Sequence, residues 1–326
     1  MLLTNIIAVL VGFGALIWGA ERFVLGASAT ARNLGVSPLI IGLTVVGFGT
    51  SAPEMLVSGI AAWYGTPGIS IGNALGSNIA NIGLVLGFTA LVSPIIVSSD
   101  ILRREFPLLF LSLIFALLLI FDGEMSRLDG YLLLGGMVLI LYWIVRIGLR
   151  SRQKDPMRTE FEAEMQEEIP AEMSNAKAFF WLFLGALVLL AASRAVVWGA
   201  TDIARALGVS DLVIGLTVIA IGTSLPELAA SIMCVLKKEY DIAIGNVVGS
   251  NMFNILAVMG IPGAIGTFII PADALSRDYG VMFVFTVGLF VMSYGLKGPG
   301  RINRIEGGIL FSGYIAYMVF VYLASV

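Results

Sequence analysis

The chain has 326 residues, of which 58% are hydrophobic and 13% charged, and its 22 acidic and 19 basic side chains give a net charge of −3. Soluble domains carry about 25% charged residues, so this composition points to lipid, and it offers no clustered basic surface for nucleic acid. A single cysteine (Cys234) and no histidine exclude disulfide scaffolds, Cys/His metal centres, and Ser-His-Asp, Cys-His or HExxH catalysis.

A membrane-crossing helix needs about 20 mainly apolar residues. Ten candidate segments follow in order: 3–20, 38–63, 69–95, 106–121, 129–146, 177–197, 211–236, 242–270, 279–296 and 305–324. No basic region precedes the first and no small-residue cleavage site follows it, so it reads as a span and not a signal peptide. The expected fold is an all-α membrane protein of ten transmembrane helices. A first unit covers 1–150, a linker 151–176 and a second unit 177–326. The polar stretch 147–176 carries Glu160, Glu162, Glu164, Glu167, Glu168 and Glu172 after a basic start. A run this short reads as a solvated linker in preference to a calcium-sensing segment.

Charge asymmetry orients the spans. The loops after spans 1, 3, 5, 7 and 9 hold 15 of the 19 basic residues, leaving Arg127, Arg194, Arg205 and Arg277 elsewhere. By the positive-inside rule those five loops are cytoplasmic. Both termini are then expected outside the cytoplasm, with the protein in the cytoplasmic (inner) membrane.

The chain repeats itself. LGVSPLIIGLTVVGFGTSAPEMLVS at 34–58 returns as LGVSDLVIGLTVIAIGTSLPELAAS at 207–231, agreeing at 16 of 25 positions. IGNALGSNIANI at 71–82 returns as IGNVVGSNMFNI at 244–255, agreeing at 8 of 12, and both pairs share an offset of 173 residues. Five spans lie on each side of the linker. Because five is odd, the second copy is expected to cross the membrane in the opposite sense, giving two inverted five-helix repeats. Transporters built this way place their binding site near the midplane, between the repeats.

Of the 41 charged residues, only Glu54 and Glu227 fall well inside a predicted span. They are repeat mates, and an ionisable group at that depth costs roughly 2.5–3.5 kcal/mol on insertion scales, a cost associated with function. The bland alternative is a protonated glutamate bonded to a neighbouring helix. Each closes the motif Gly-Thr-Ser-x-Pro-Glu, at 49–54 and 222–227. Pro53 and Pro226 lack an N–H, which frees the carbonyls of Gly49 and Gly222 beside two hydroxyls and a carboxylate. Carboxylate, hydroxyl and carbonyl together suit calcium, magnesium or sodium, magnesium less well because it holds its waters, and suit zinc or copper poorly. In the second repeated motif, Ser77 shares a helix face with Asn81, and Ser250 with Asn254. For Asn73, Asn78, Asn246 and Asn251 the spacing supports packing and ligation equally.

These paired motifs resemble the alpha repeats of the calcium/cation antiporter superfamily, specifically sodium/calcium exchangers and their bacterial homologues. The resemblance implies that Glu54 and Glu227 bridge calcium and serve sodium, and that Thr50 and Thr223 contribute backbone carbonyls. It implies that Ser51, Ser224, Ser77 and Ser250 line sodium sites, with the carbonyls of Gly47 and Ala220, and that Asn81 belongs to the central site. Asn254 stands where some members carry aspartate, which implies potassium-independent exchange, and the short linker looks prokaryotic. The implied activity is antiport of Ca2+ against Na+ with no cofactor. Proton-driven calcium exchange by the same glutamates stays open, as does oligomeric state. An intramembrane aspartyl protease would need paired aspartates within spans, and none are present.

Overall fold

A computed structural model describes residues 2–98, 101–151, 173–208, 220–294 and 300–325. The acidic stretch 160–172 and the beginning of the predicted span 211–236 lie outside the described residues. The chain is almost wholly helical, and every predicted apolar segment carries helix where it is described. The helices are α1 (Leu2–Leu34), α2 (Pro38–Trp63), α3 (Pro67–Val92), α4 (Phe106–Ile120), α5 (Arg127–Ser151), α6 (Asn175–Ala206), α7 (Leu225–Leu236), α8 (Tyr240–Ile265), α9 (Ala274–Ser293) and α10 (Arg304–Ser325). Among the described residues eight helices are long and apolar enough to cross a membrane. The exceptions are α4, at 15 residues, and α7, at 12.

Helix ends follow local chemistry. The sequence places the first span at 3–20, yet α1 runs on to Leu34, because Glu21 and Arg22 do not stop it. Lys237 lies 3.6 Å from Glu21, and the Arg22 guanidinium sits 4.9 Å from the Trp181 ring centroid. Termination comes at Gly35, whose φ of 61° is open to glycine at little cost, and its repeat mate Gly208 ends α6 in the same way at φ 80°. Pro38 and Pro67 then open α2 and α3, at the first-turn positions where a missing N–H costs nothing.

The buried centre consists of α3 and α8. Within their most apolar 18-residue stretches, 78% of α3 and all of α8 is buried, against 22% for α1 and 17% for α10. Both central helices widen into a π-helical turn at matching places, Asn81–Leu86 and Asn254–Val258. Such turns arise where a local constraint displaces the helical ladder, and they are frequent at functional sites.

The offset of 173 reappears in the contacts. A Cβ on Gly26 of α1 would meet Leu182 and Ala178 of α6, while one on Gly199 of α6 would meet Val9 and Asn5 of α1. Gly12 meets Val196, and Gly185 meets Phe23, again with both partners exchanged. Beyond residues 295–299 the offset widens to 177, and the exchange continues. Strand β1 (Ile95–Val97) pairs antiparallel with β4 (Gly300–Ile302), while β2 (Glu124–Met125) pairs with β3 (Phe268–Ile269). In register, Ile95 faces Ile302 as Phe268 faces Met125. Gly307 of α10 packs on Gly87 and Ala90 of α3, and Gly130 of α5 on Gly260 and Gly263 of α8. Each half therefore closes the other, and the glycines permit the close helix approach that association in lipid relies on.

Candidate functional site

Both glutamates lie in the buried interior, Glu54 at 3% and Glu227 at 2% relative exposure. The elements that carry them differ. In the first copy Gly47–Trp63 is one continuous stretch of α-helix with Pro53 inside it. In the second, the helix described from Ala220 ends at Thr223, before Ser224 (φ −90°, ψ 4°), and α7 begins at Leu225 with Pro226 in its first turn.

Side chains from both halves interlock around the first motif. Thr50 Oγ1 lies 3.1 Å from Asn246 Oδ1, 3.2 Å from Ser250 Oγ and 3.4 Å from the Gly47 carbonyl oxygen. The hydroxyl of Ser250 also reaches that carbonyl, at 3.5 Å. The backbones press close behind this cluster. A Cβ on Gly249 would fall 2.4 Å from the Leu43 carbonyl oxygen, so only a hydrogen fits there. A second crossing joins the π-turn of the first copy to the α-helical stretch that precedes the π-turn of the second, where Asn81 Nδ2 donates to Asn251 Oδ1 at 3.1 Å.

Around these bonds several oxygens find no partner. Ser51 Oγ, one oxygen each of Glu54 and Glu227, and the amide oxygens of Asn78 and Asn254 are buried and unbonded. Buried acceptors left in this way cost about 1–3 kcal/mol each, and a positively charged guest is one kind of partner that would satisfy them. Every available donor is a carboxylate, hydroxyl, amide or backbone oxygen, which fits a hard cation. No group of three or more His, Cys, Asp or Glu occurs among the described residues. Among the described residues, the acidic side chains of the two motifs are Glu54 and Glu227 alone, and the other oxygens named here are neutral.

Of the twelve residues singled out from sequence, Gly47, Thr50 and Ser250 are joined directly, and Asn81 is tied to the opposite copy through Asn251. Ser51, Ser77, Ser224 and Asn254 are buried, as are both glutamates, Thr223 is half-buried, and Ala220 lies in the helical turn that ends at Thr223. The asparagines left open by spacing are packing groups in part. Asn73 Nδ2 donates to Ser58 Oγ (3.4 Å) and to the Glu54 carbonyl (3.2 Å), and Asn246 Nδ2 to Ser231 Oγ (3.3 Å).

Three serines escaped the sequence reading. Ser58 and Ser231 were detectable, being the identical residues that close the aligned repeats at 58 and 231. Ser193 donates to the Gly222 carbonyl at 2.7 Å, but its repeat position holds Ala20, so no repeated signal marks it.

Comparison with known proteins bears on this arrangement. Residues 4–146 and 177–323 match the family described as sodium/calcium exchanger protein. Over 97% of its length the chain is 51% identical to CaxA of Alkalimonas amylolytica, covering 98% of that protein. It is 42% identical to the inner membrane protein YrbG of Escherichia coli, across 97% of this chain and 96% of YrbG. The solved structure of the sodium-calcium exchanger NCX_Mj, soaked with 10 mM Na+ and 10 mM Sr2+, superposes with a TM-score of 0.82 at 33% identity. That likeness covers 98% of this chain and 99% of the other.

Proposed function

Because this chain belongs to the sodium/calcium exchanger family, we propose that it is a secondary antiporter that carries calcium out against entering sodium, by alternating access across the inner membrane. The observation that carries this reading is the pair of buried glutamates with unbonded oxygens, set among neutral oxygen donors from both halves. Two carboxylates give a charge of −2, which one calcium or two sodium ions balance equally, so the two ions compete for the same centre. Competition of this kind gives exchange: one ion leaves before the other is held.

In this reading Glu54 and Glu227 hold calcium and also serve sodium. Ser51, Ser224, Ser77 and Ser250 add hydroxyl oxygens, Thr50, Thr223, Gly47 and Ala220 add backbone carbonyls, and Asn81 and Asn254 add amide oxygens. The ten helices act as two inverted repeats, 1–150 and 177–326, with both termini outside the cytoplasm. The exchanged partners in the contacts and strand registers support that arrangement, as the inner-membrane name of YrbG supports the location.

Reconstituted vesicles test the coupling. Calcium uptake is followed under an outward sodium gradient, under a pH gradient, and under neither. Uptake driven by sodium and absent without it is the expected result. Uptake driven by the pH gradient alone moves the assignment to proton/calcium exchange, and uptake without any coupling gradient makes the protein a passive pathway.

A further inference from the structure

Ser193 lies on α6, far in sequence from either motif, with its buried hydroxyl donating to the Gly222 carbonyl oxygen at 2.7 Å. Pro226, four residues beyond Gly222, has no N–H, so the helical donor for that carbonyl is missing. The hydroxyl of Ser193 takes its place. One turn further along the same face of α6, Val197 completes the grip, since a Cβ on Gly222 would fall 2.0 Å from Val197 Cγ2.

The first motif is held differently. Its proline, Pro53, frees the Gly49 carbonyl in the same way, but the position matching Ser193 is Ala20, which has no donor. A Cβ on Gly49 would find only Phe23 Cζ, at 3.9 Å. Thus α6 holds the second motif by a hydrogen bond and by close contact, while α1 holds the first by neither. The gripped turn is also the one that breaks. Ser224 N bonds back to Ile221 O at 3.1 Å, and the helix restarts only at Leu225, two residues before Glu227.

We infer that Ser193 is a positioning residue of the ion site: its bond to the Gly222 carbonyl fixes the broken turn that sets Ser224 and Glu227, and it ties α6 to the second motif alone. The inference rests on reading the buried carboxylates as an ion site. With the bond in place, the turn is ordered before an ion arrives. Without it, ion binding must also order the turn, which weakens affinity.

The test uses the full chain in lipid nanodiscs, comparing Ser193→Ala with a matched control, Ser112→Ala. Ser112 is also buried and also donates to a backbone carbonyl, Leu108 at 2.8 Å, but within α4. Amide hydrogen exchange over 222–228 and half-saturating calcium, measured by calcium titration of a melting curve, are read for both variants. Ser193→Ala is expected to speed exchange there, and to raise half-saturating calcium, roughly five- to tenfold, the size of one neutral hydrogen bond. Ser112→Ala is expected to change neither. Faster exchange with unchanged calcium dependence overturns the inference, as do tighter calcium binding or no change in either reading. A wild-type protein insensitive to both calcium and sodium overturns the ion-site reading and this inference with it. A responsive wild type with an unaltered Ser193→Ala variant overturns this inference alone.

Discussion

The two copies of Gly-Thr-Ser-x-Pro-Glu are nearly the same sequence in two different backbones. Residues 49–54 run inside a continuous helix that absorbs Pro53, whereas 222–227 straddle a break at Ser224. Proline chemistry is common to both, so it does not explain the difference. What differs is the surroundings. The first motif is braced from the opposite half, by Asn246 and Ser250 on Thr50, and the second by Ser193 and Val197 of α6. A motif sets which groups are available, and its neighbours decide which backbone state they occupy.

The sharpest way to break this comparison is to remove one charge at a time. If the two copies supply one shared centre despite their different backbones, Glu54→Gln and Glu227→Gln should each lower calcium transport by more than the roughly 10- to 100-fold that loss of an outer-shell partner costs a metal site. Neither should lower the melting temperature, since a neutral amide relieves the desolvation of a buried carboxylate. Calcium flux and thermal melting of the two purified variants decide it. Near-normal exchange in either one removes that glutamate from the site.

Much of this is legible in the amino-acid sequence. The helical segments, the repeat and the paired acids follow from apolar run length and a constant offset, because lipid forces long uninterrupted helices and makes a buried charge conspicuous. What the sequence hid falls into two kinds. One is non-repeated context: Ser193 has no mate, so comparing the copies passes over it. The other is geometry that identical residues do not determine. Nothing in GTSAPE against GTSLPE reveals which copy is continuous, and nothing in the chain order reveals that α5 packs on α8 while α10 packs on α3.

The brace across the halves should matter next most. Thr50→Val keeps the shape but deletes the hydroxyl that sits between Asn246 Oδ1, Ser250 Oγ and Gly47 O. Leaving such buried acceptors without a donor costs about 1–3 kcal/mol, so the variant should melt several degrees lower and require about tenfold more calcium for half-maximal uptake. Unchanged melting would mean that the brace contributes nothing to the continuity of the first motif.

Proline replacement then compares the two backbones directly. Pro53 sits inside a continuous helix, a situation that costs about 3 kcal/mol in a soluble helix, and Pro53→Ala would restore a donor to Gly49. Pro226 already occupies a first turn, where it costs little, and Gly222 already has Ser193. Pro53→Ala should therefore stabilise the protein by about 1–3 kcal/mol, and Pro226→Ala by less than about 1 kcal/mol. Equal shifts in denaturant midpoint would show that the break at Ser224 is not what spares the second copy this strain.

The smallest effect is expected where the halves are most alike. Arg127 Nη2 donates to the Ile265 carbonyl at 3.3 Å, and Arg304 Nη2 to the Val92 carbonyl at 3.4 Å. Each arginine opens the last helix of its own half and caps the end of the other half's central helix. The two carbonyls are repeat mates at the 173 offset, and the arginines are mates at 177. Both bonds are exposed and longer than a well-formed charged hydrogen bond, so solvent screens most of their strength. Arg127→Ala and Arg304→Ala should each lower stability by only about 0.3–1 kcal/mol, the usual value of a cation at a helix C-terminus. In detergent without charged lipid the two losses should match. In vesicles containing anionic lipid in the cytoplasmic leaflet they should separate. Under the inverted arrangement Arg304 faces that leaflet and Arg127 does not, and each basic residue near such a surface gains about 1 kcal/mol. Matching losses in both settings would place the two arginines in equivalent lipid environments, and that outcome is incompatible with opposite crossing of the two halves.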